Sequence, residues 1–142
     1  MAEEATTAEI GFGAAVDLST DGGSTWDSGG QISGDITPPS ATVDVVEASH
    51  MQSPGRIKEF ITAMSDPGEC SYPIHFNPSS DVDDRYLAIR AAGDRVKVRI
   101  TFGNGAIWTF DALLTGYAPS VPIADRQTAQ VTWKVTGSTV VT

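Results

Sequence analysis

The chain is 142 residues long and 40% hydrophobic, which suits one domain with a modest core or at most two small ones. Its 18 acidic and 9 basic side chains give a formal charge of −9 with no Lys/Arg cluster, which excludes a free nucleic-acid binder working through an exposed basic patch. The single cysteine, Cys70, excludes an intrachain disulfide framework and a multi-cysteine zinc site.

The opening MAEEATTAE reads as a flexible acidic arm over 1–9 and lacks the pattern of a secretory signal. No apolar run approaches the length needed to span a bilayer, so folding in the cytoplasm is expected, with no membrane partner. Residues 10–142 form one expected domain. Strand signals begin at GFGAAVDLS (11–19). TDGGSTWDSGG (20–30) supplies turn residues around a short strand containing Trp26. ITPPS (36–40) is a stiff connector, because its two prolines lack the donor that a central strand requires.

ATVDVVE (41–47) is a strand by its β-branched content. SHMQSPGRIKEF (49–60) then breaks at Pro54-Gly55, within an inter-strand loop expected over 48–66. Ile57, Phe60, Ile61 and Met64 recur at helical spacing, which predicts a short helix or helical turn ending at Ser65-Asp66-Pro67-Gly68. CSYPIHF (70–76) alternates, with Cys70, Tyr72, Ile74 and Phe76 on one face, and Pro73 predicts an edge strand or a bulge.

The main helix is predicted over about 80–92. Ser80 is its N-cap, Asp81, Asp83 and Asp84 sit at its positive end, and Val82, Tyr86 and Ile89 line one face. Arg90 near the last turn and Gly93 close it. A long hairpin follows over 94–118. A three-residue loop Gly103-Asn104-Gly105 places Val98 opposite Phe110, Ile100 opposite Trp108 and Lys97 opposite Asp111, with Gly105 left-handed. This register unites one apolar face and pairs charges on the other. A last strand, 129–137, sets Val131, Trp133 and Val135 on one face. The fold class is mainly β: an antiparallel β-sandwich or part-closed β-barrel with one flanking α-helix.

Nothing in the chain carries catalytic chemistry, and no enzyme, cofactor or metal is expected. His50, His75 and Cys70 do not make a converging zinc set, since Cys70 and His75 fall on opposite faces of one strand. The aspartates at 81, 83 and 84 are explained by capping and lack the spacing of a calcium loop. The glycines open no phosphate loop, and Ser49-His50 has no nucleophile context. Trp108 and Trp133 are in phase with apolar neighbours and read as core. Trp26 lies in a Gly/Ser-rich setting and leaves a ligand- or carbohydrate-binding sandwich as an alternative.

Residues 41–76 add a resemblance. A strand ending at Val45-Val46-Glu47 leads into Ser49-His50-Met51, Arg56, and Lys58-Glu59-Phe60-Ile61. Then come Asp66-Pro67-Gly68-Glu69 and an alternating strand closing in Phe76-Asn77-Pro78. With GFGAAVDLSTDGGSTW before it and GNGAIWTFDALLTGYAPSVPIAD after it, this order resembles the phage major tail tube proteins of long non-contractile tails. It also resembles the tube subunits of gene transfer agents and related tail-like particles.

The resemblance implies a virion structural subunit, made in the host cytoplasm, that forms hexameric rings stacked into a tail tube. The tube surrounds the tape measure protein and then conducts DNA without binding it specifically; a tail terminator and baseplate or tip proteins are implied at its ends. A tail terminator or another minor tube-like subunit is the alternative within the same class. Carried onto this chain, it makes His50, Met51, Gln52, Pro54, Arg56, Lys58 and Phe60 subunit-interface candidates. Arg95, Lys97, Arg99 and Asp111 become candidates for the hairpin sheet that builds the tube, and the acidic balance is expected to supply carboxylates to the bore, the rival reading being that it only keeps the unassembled subunit dispersed.

Overall fold

The computed structural model describes Thr6 and residues 10–142, so the arm expected over 1–9 lies, Thr6 apart, outside the described residues. Two antiparallel sheets, neither closed on itself, and one helix account for the regular structure. β1 (Ala15–Ser19), β2 (Asp27–Ser28), β6 (Val96–Thr101), β7 (Ile107–Ser120), β8 (Thr128–Val141) and β5 (Glu69–His75) form a six-stranded sheet ordered β2-β1-β6-β7-β8-β5. β3 (Thr42–Glu47) and β4 (Phe60–Asp66) form a separate two-stranded ribbon.

The hairpin register is the predicted one: Val98 faces Phe110, Ile100 faces Trp108 and Lys97 faces Asp111, and Gly105 has a φ of 93°. Alternation sends Val16, Leu18, Val98, Ile100, Phe110, Val131 and Trp133 to one face, where all are buried. The helix α1 (Asp81–Ala92) adds Tyr86 and Ile89 to the same core. Its start is the expected one, with the Ser80 side chain accepting from the Asp83 amide and Gly93 closing it at a φ of 69°. Cys70 is buried and His75 points the other way, half-buried.

A chain of hydrogen bonds fastens the helix to the sheet. Trp133 Nε1 donates to the Tyr72 hydroxyl at 3.0 Å, Tyr72 and Tyr86 share a bond at 2.7 Å, and Tyr86 donates to the Gly29 carbonyl at 2.6 Å. Each hydroxyl has one hydrogen, so the Tyr86–Gly29 bond requires Tyr72 to donate to Tyr86. Burial raises both phenols above their ordinary range and keeps them protonated donors. Tyr117 donates to Asp83 at 2.8 Å, and its ring stacks on Tyr86 with centroids 5.2 Å apart.

β5 is an edge strand, as Pro73 predicts, and its outer edge is covered. Residues 31–37 run antiparallel along it, with bridges Ile32–Ile74 and Thr37–Ser71. Ser33 donates to the Pro73 carbonyl at 3.0 Å, and Thr37 and Ser71 exchange amide bonds at 2.7 and 3.1 Å. Beyond the proline connector the same pairing continues as Thr42–Asp66 and then Glu47–Phe60. One long ribbon therefore runs past the sheet. Its lower half is bonded to β8 through β5, and its upper half, β3–β4, is tied to β8 at its root by Lys134, which donates to Asp66 at 2.9 Å, and has its strands paired only with each other.

The expected helix over Ile57, Phe60, Ile61 and Met64 is not formed. Residues 60–66 are a strand, and the inter-strand loop expected over 48–66 ends at Glu59. Helical spacing in so short a stretch is also compatible with two apolar faces of a strand, and cross-strand bonds to the β-branched β3 decide for the strand. Among the described residues, no helix is long and apolar enough to cross a membrane.

Candidate subunit interface

The free ribbon is apolar on both faces. Val43, Val45, Val46, Phe60, Ile61 and Met64 are all more than half exposed. In the pairing, Phe60 lies opposite Glu47 and shares a face with Val45 and Val43, while Ile61 lies opposite Val46 on the other face. A two-stranded hairpin is marginal in water by itself, and a contiguous exposed apolar surface of this kind marks an interaction site.

The ribbon's tip is a folded loop. Glu59 donates its amide to Ser49 Oγ at 2.8 Å, and Ala48 returns a bond to the Glu59 carbonyl. The His50 amide donates to Ser53 Oγ at 2.9 Å, and Ser53 Oγ donates to Glu59 Oε2 at 2.9 Å. His50 Nε2 lies 3.5 Å from the same carboxylate oxygen. Pro54–Arg56 then form a tight turn, with Gly55 and Arg56 both left-handed at φ 65° and 56°. For arginine that conformation costs about 1 kcal/mol or more, so the loop shape is imposed by its bonds and not by local preference.

These bonds tie Ser49, His50, Ser53 and Glu59 to one another, with the His50 and Glu59 side chains still open to water. The tip presents outward Met51 (fully exposed), Gln52, Pro54, Arg56, Ile57 and Lys58, with His50 exposed and Glu59 half-exposed beside them. All seven interface candidates are therefore at the surface: His50, Met51, Gln52, Pro54, Arg56 and Lys58 in the tip, and Phe60 at the ribbon's end. Sequence reasoning missed the faces behind them, Val43, Val45, Val46, Ile61 and Met64. The available signal was that TVDVVE and FITAM put apolar residues on both faces.

The hairpin candidates separate. Lys97 and Asp111 meet at 3.2 Å, and Arg99 meets Asp17 at 2.9 Å, all on the sheet face opposite the core. Arg99 also lies over the Trp26 ring, 4.3 Å from its centroid. Arg95 falls one residue outside β6 and is exposed near the end of α1. The cations of this face are thus engaged by carboxylates of the same chain.

The tryptophans do not build a sugar platform. Trp133 is in the core, Trp26 lies under Arg99, and Trp108 packs edge-on against Phe102. Trp108 is only half-buried, so its expected core position is corrected: it lies near the sheet's open end, opposite Val141 of the last strand. Among the described residues, no group of three or more His, Cys, Asp or Glu side chains is placed to hold a metal ion.

Solved structures similar to this chain include subunits of tail-like particles. The tail of an empty gene transfer agent particle, refined with C6 symmetry, is similar at a TM-score of 0.73 and 16% identity, covering 95% of this chain and 99% of that one. A subunit of the native gene transfer agent virion is similar at 0.71 and 15%, with the same coverage. A chain of the sheath/tube terminator of an extracellular contractile injection system gives 0.67 and 13%, covering 97% of this chain and 99% of that one. No curated protein matches the chain. The family described as lambda phage tail tube protein matches residues 20–142, and the chain belongs to that family. It is a structural subunit of a tail tube, which sets aside the carbohydrate-binding alternative.

Proposed function

We propose that six copies of this chain close into a ring through their free ribbons, and that rings stack into the tube. The carrying observation is the β3–β4 ribbon, apolar on both faces and outside the subunit's own core. A neighbour's sheet laid against it removes that surface from water at roughly 25 cal/mol per Å². It also satisfies backbone groups at the ribbon's open edges. The sixfold symmetry of the similar gene transfer agent tail supports the copy number.

The bore of such a tube holds the tape measure protein before ejection and passes DNA afterwards, with terminator and baseplate or tip proteins at its ends. The paired charges of the outer sheet face support a conduit that does not retain DNA, because Lys97 and Arg99 already have carboxylate partners. The role is mechanical, and no catalytic step is assigned to any residue.

Purified protein is expected to form sixfold rings or tubes in negative-stain micrographs as concentration rises. Replacing Phe60 and Ile61 with aspartate is expected to leave the circular dichroism spectrum of the sheet domain unchanged and to abolish assembly. Wild-type protein that remains monomeric at every concentration, or an aspartate variant that assembles normally, would overturn this reading.

A further inference from the structure

The sulfur of this chain is divided between core and ribbon. Of its three methionines, Met51 and Met64 lie among the described residues, and both belong to the ribbon. Met51, in the loop between β3 and β4, is fully exposed, and Met64, within β4, is 85% exposed. Among the described residues, the buried cluster of the sheet domain holds no methionine. It is filled mainly by Val, Ile, Leu and aromatic side chains, and its one sulfur is that of Cys70, which is fully buried. Desolvation keeps the Cys70 thiol protonated, and a thiol reacts with peroxides far more slowly than a thiolate.

A thioether has no proton to lose, so exposure decides how readily a hydroperoxide reaches it. The sulfur lone pair attacks a peroxide oxygen, the S–O bond forms as the O–O bond breaks, and sulfur gives up an electron pair. The peroxide leaves as water or an alcohol after proton transfer. The product is a polar, chiral sulfoxide in place of a flexible apolar side chain. At Met64 that change costs little while the ribbon is in water. It costs more on a surface that must be dried against another copy, because the sulfoxide oxygen then loses its water without a partner placed for it. Met64 lies at the register shift between the Val43–Ser65 and Val45–Thr62 pairs, so exposed valines flank it across the ribbon.

We propose that Met64 is an oxidative modification site that controls assembly: a hydroperoxide converts it to the sulfoxide in the unassembled subunit, and the modified ribbon no longer joins another copy. Met51 is oxidised with it, but Met51 stands outside the paired strands and Met64 carries the effect. The sheet domain keeps its fold, because its one sulfur is sealed in the core. Burial against a neighbour shields Met64, so the sensitive species is the subunit before assembly, and reduction of the sulfoxide reverses the block. This inference rests on the ribbon-mediated assembly proposed above, and adds a chemical control of that surface.

The test treats free subunit with dilute hydrogen peroxide, removes the peroxide with catalase and maps the peptides by mass. Sulfoxide is expected at positions 51 and 64 and a free thiol at Cys70, with an unchanged circular dichroism spectrum. The oxidised subunit is expected to need at least about tenfold more protein to assemble, and methionine sulfoxide reductases are expected to restore the untreated behaviour. Met64→Leu conserves volume and apolar character, and is expected to assemble before and after peroxide alike, while Met51→Leu stays sensitive. Met64 in preformed tubes is expected to oxidise at least about tenfold more slowly than in free subunit. Oxidised wild type that assembles like untreated protein, reductase treatment that restores Met64 without restoring assembly, a Met64→Leu protein that peroxide still blocks, a Met51→Leu protein that resists it, or equal oxidation rates in tube and free subunit would each overturn the inference. Failure of untreated wild type to assemble would instead overturn the reading it rests on.

Discussion

Tyr72 is the residue on which the helix–sheet junction depends. Its hydroxyl accepts from Trp133 and donates to Tyr86, so a phenylalanine there leaves an indole N–H without its acceptor in a dry core. Tyr72→Phe is expected to destabilise the subunit by about 1–3 kcal/mol in denaturant titration, more than loss of one exposed hydrogen bond would. Cys70, buried beside it in β5, has its thiol pushed up to about 12 by desolvation. Iodoacetamide at pH 8 is expected to leave it unmodified in the folded protein and to alkylate it in urea. The linkage sign follows. The unfolded thiol ionises above about pH 8.5 while the folded one does not, so Cys70 makes stability fall as pH rises past that point. Rapid alkylation of the native protein would contradict this burial.

The elements differ in how far the sequence discloses them. The β6–β7 hairpin was readable to the residue, because only one register puts Val98, Ile100, Phe110 and Trp108 together and Lys97 beside Asp111. The helix was readable because Ser80, the three aspartates, Arg90 and Gly93 are local signals acting within one turn. β4 was not. Its apolar residues fit helical spacing, and the partner that makes it a strand lies across a folded loop. The outward tip residues were readable as polar loop members. That Glu59 is bonded to Ser53 and lies against His50 depends on side-chain contacts that spacing does not encode. Asp83 is a similar case: the sequence places it at a helix start, and the fold also buries it against Tyr117. The whole-ribbon continuity from 31–47 against 60–75 has no local signature either, since the prolines at 38 and 39 interrupt the strand pattern that the three-dimensional pairing resumes.

Taken as a whole, the subunit has a compact sheet domain and a smaller ribbon without a core of its own. The six-stranded sheet and α1 share a single buried cluster, to which no residue of β3 or β4 belongs. Amide exchange in the free subunit is expected to be slow for β6, β7 and β8 and fast for β3 and β4, the latter slowing once tubes form. Equal protection of both sets in the free protein would show that the ribbon is held by the subunit alone. The same separation determines what a melting experiment can see. Denaturant sensitivity tracks the surface exposed on unfolding, and β3–β4 exposes its surface already. The cooperative transition therefore reports on the sheet domain. A substitution on the ribbon can leave the midpoint and slope of that transition untouched while removing every capacity the protein has to polymerise, so thermal screening would pass as healthy a subunit that cannot build anything.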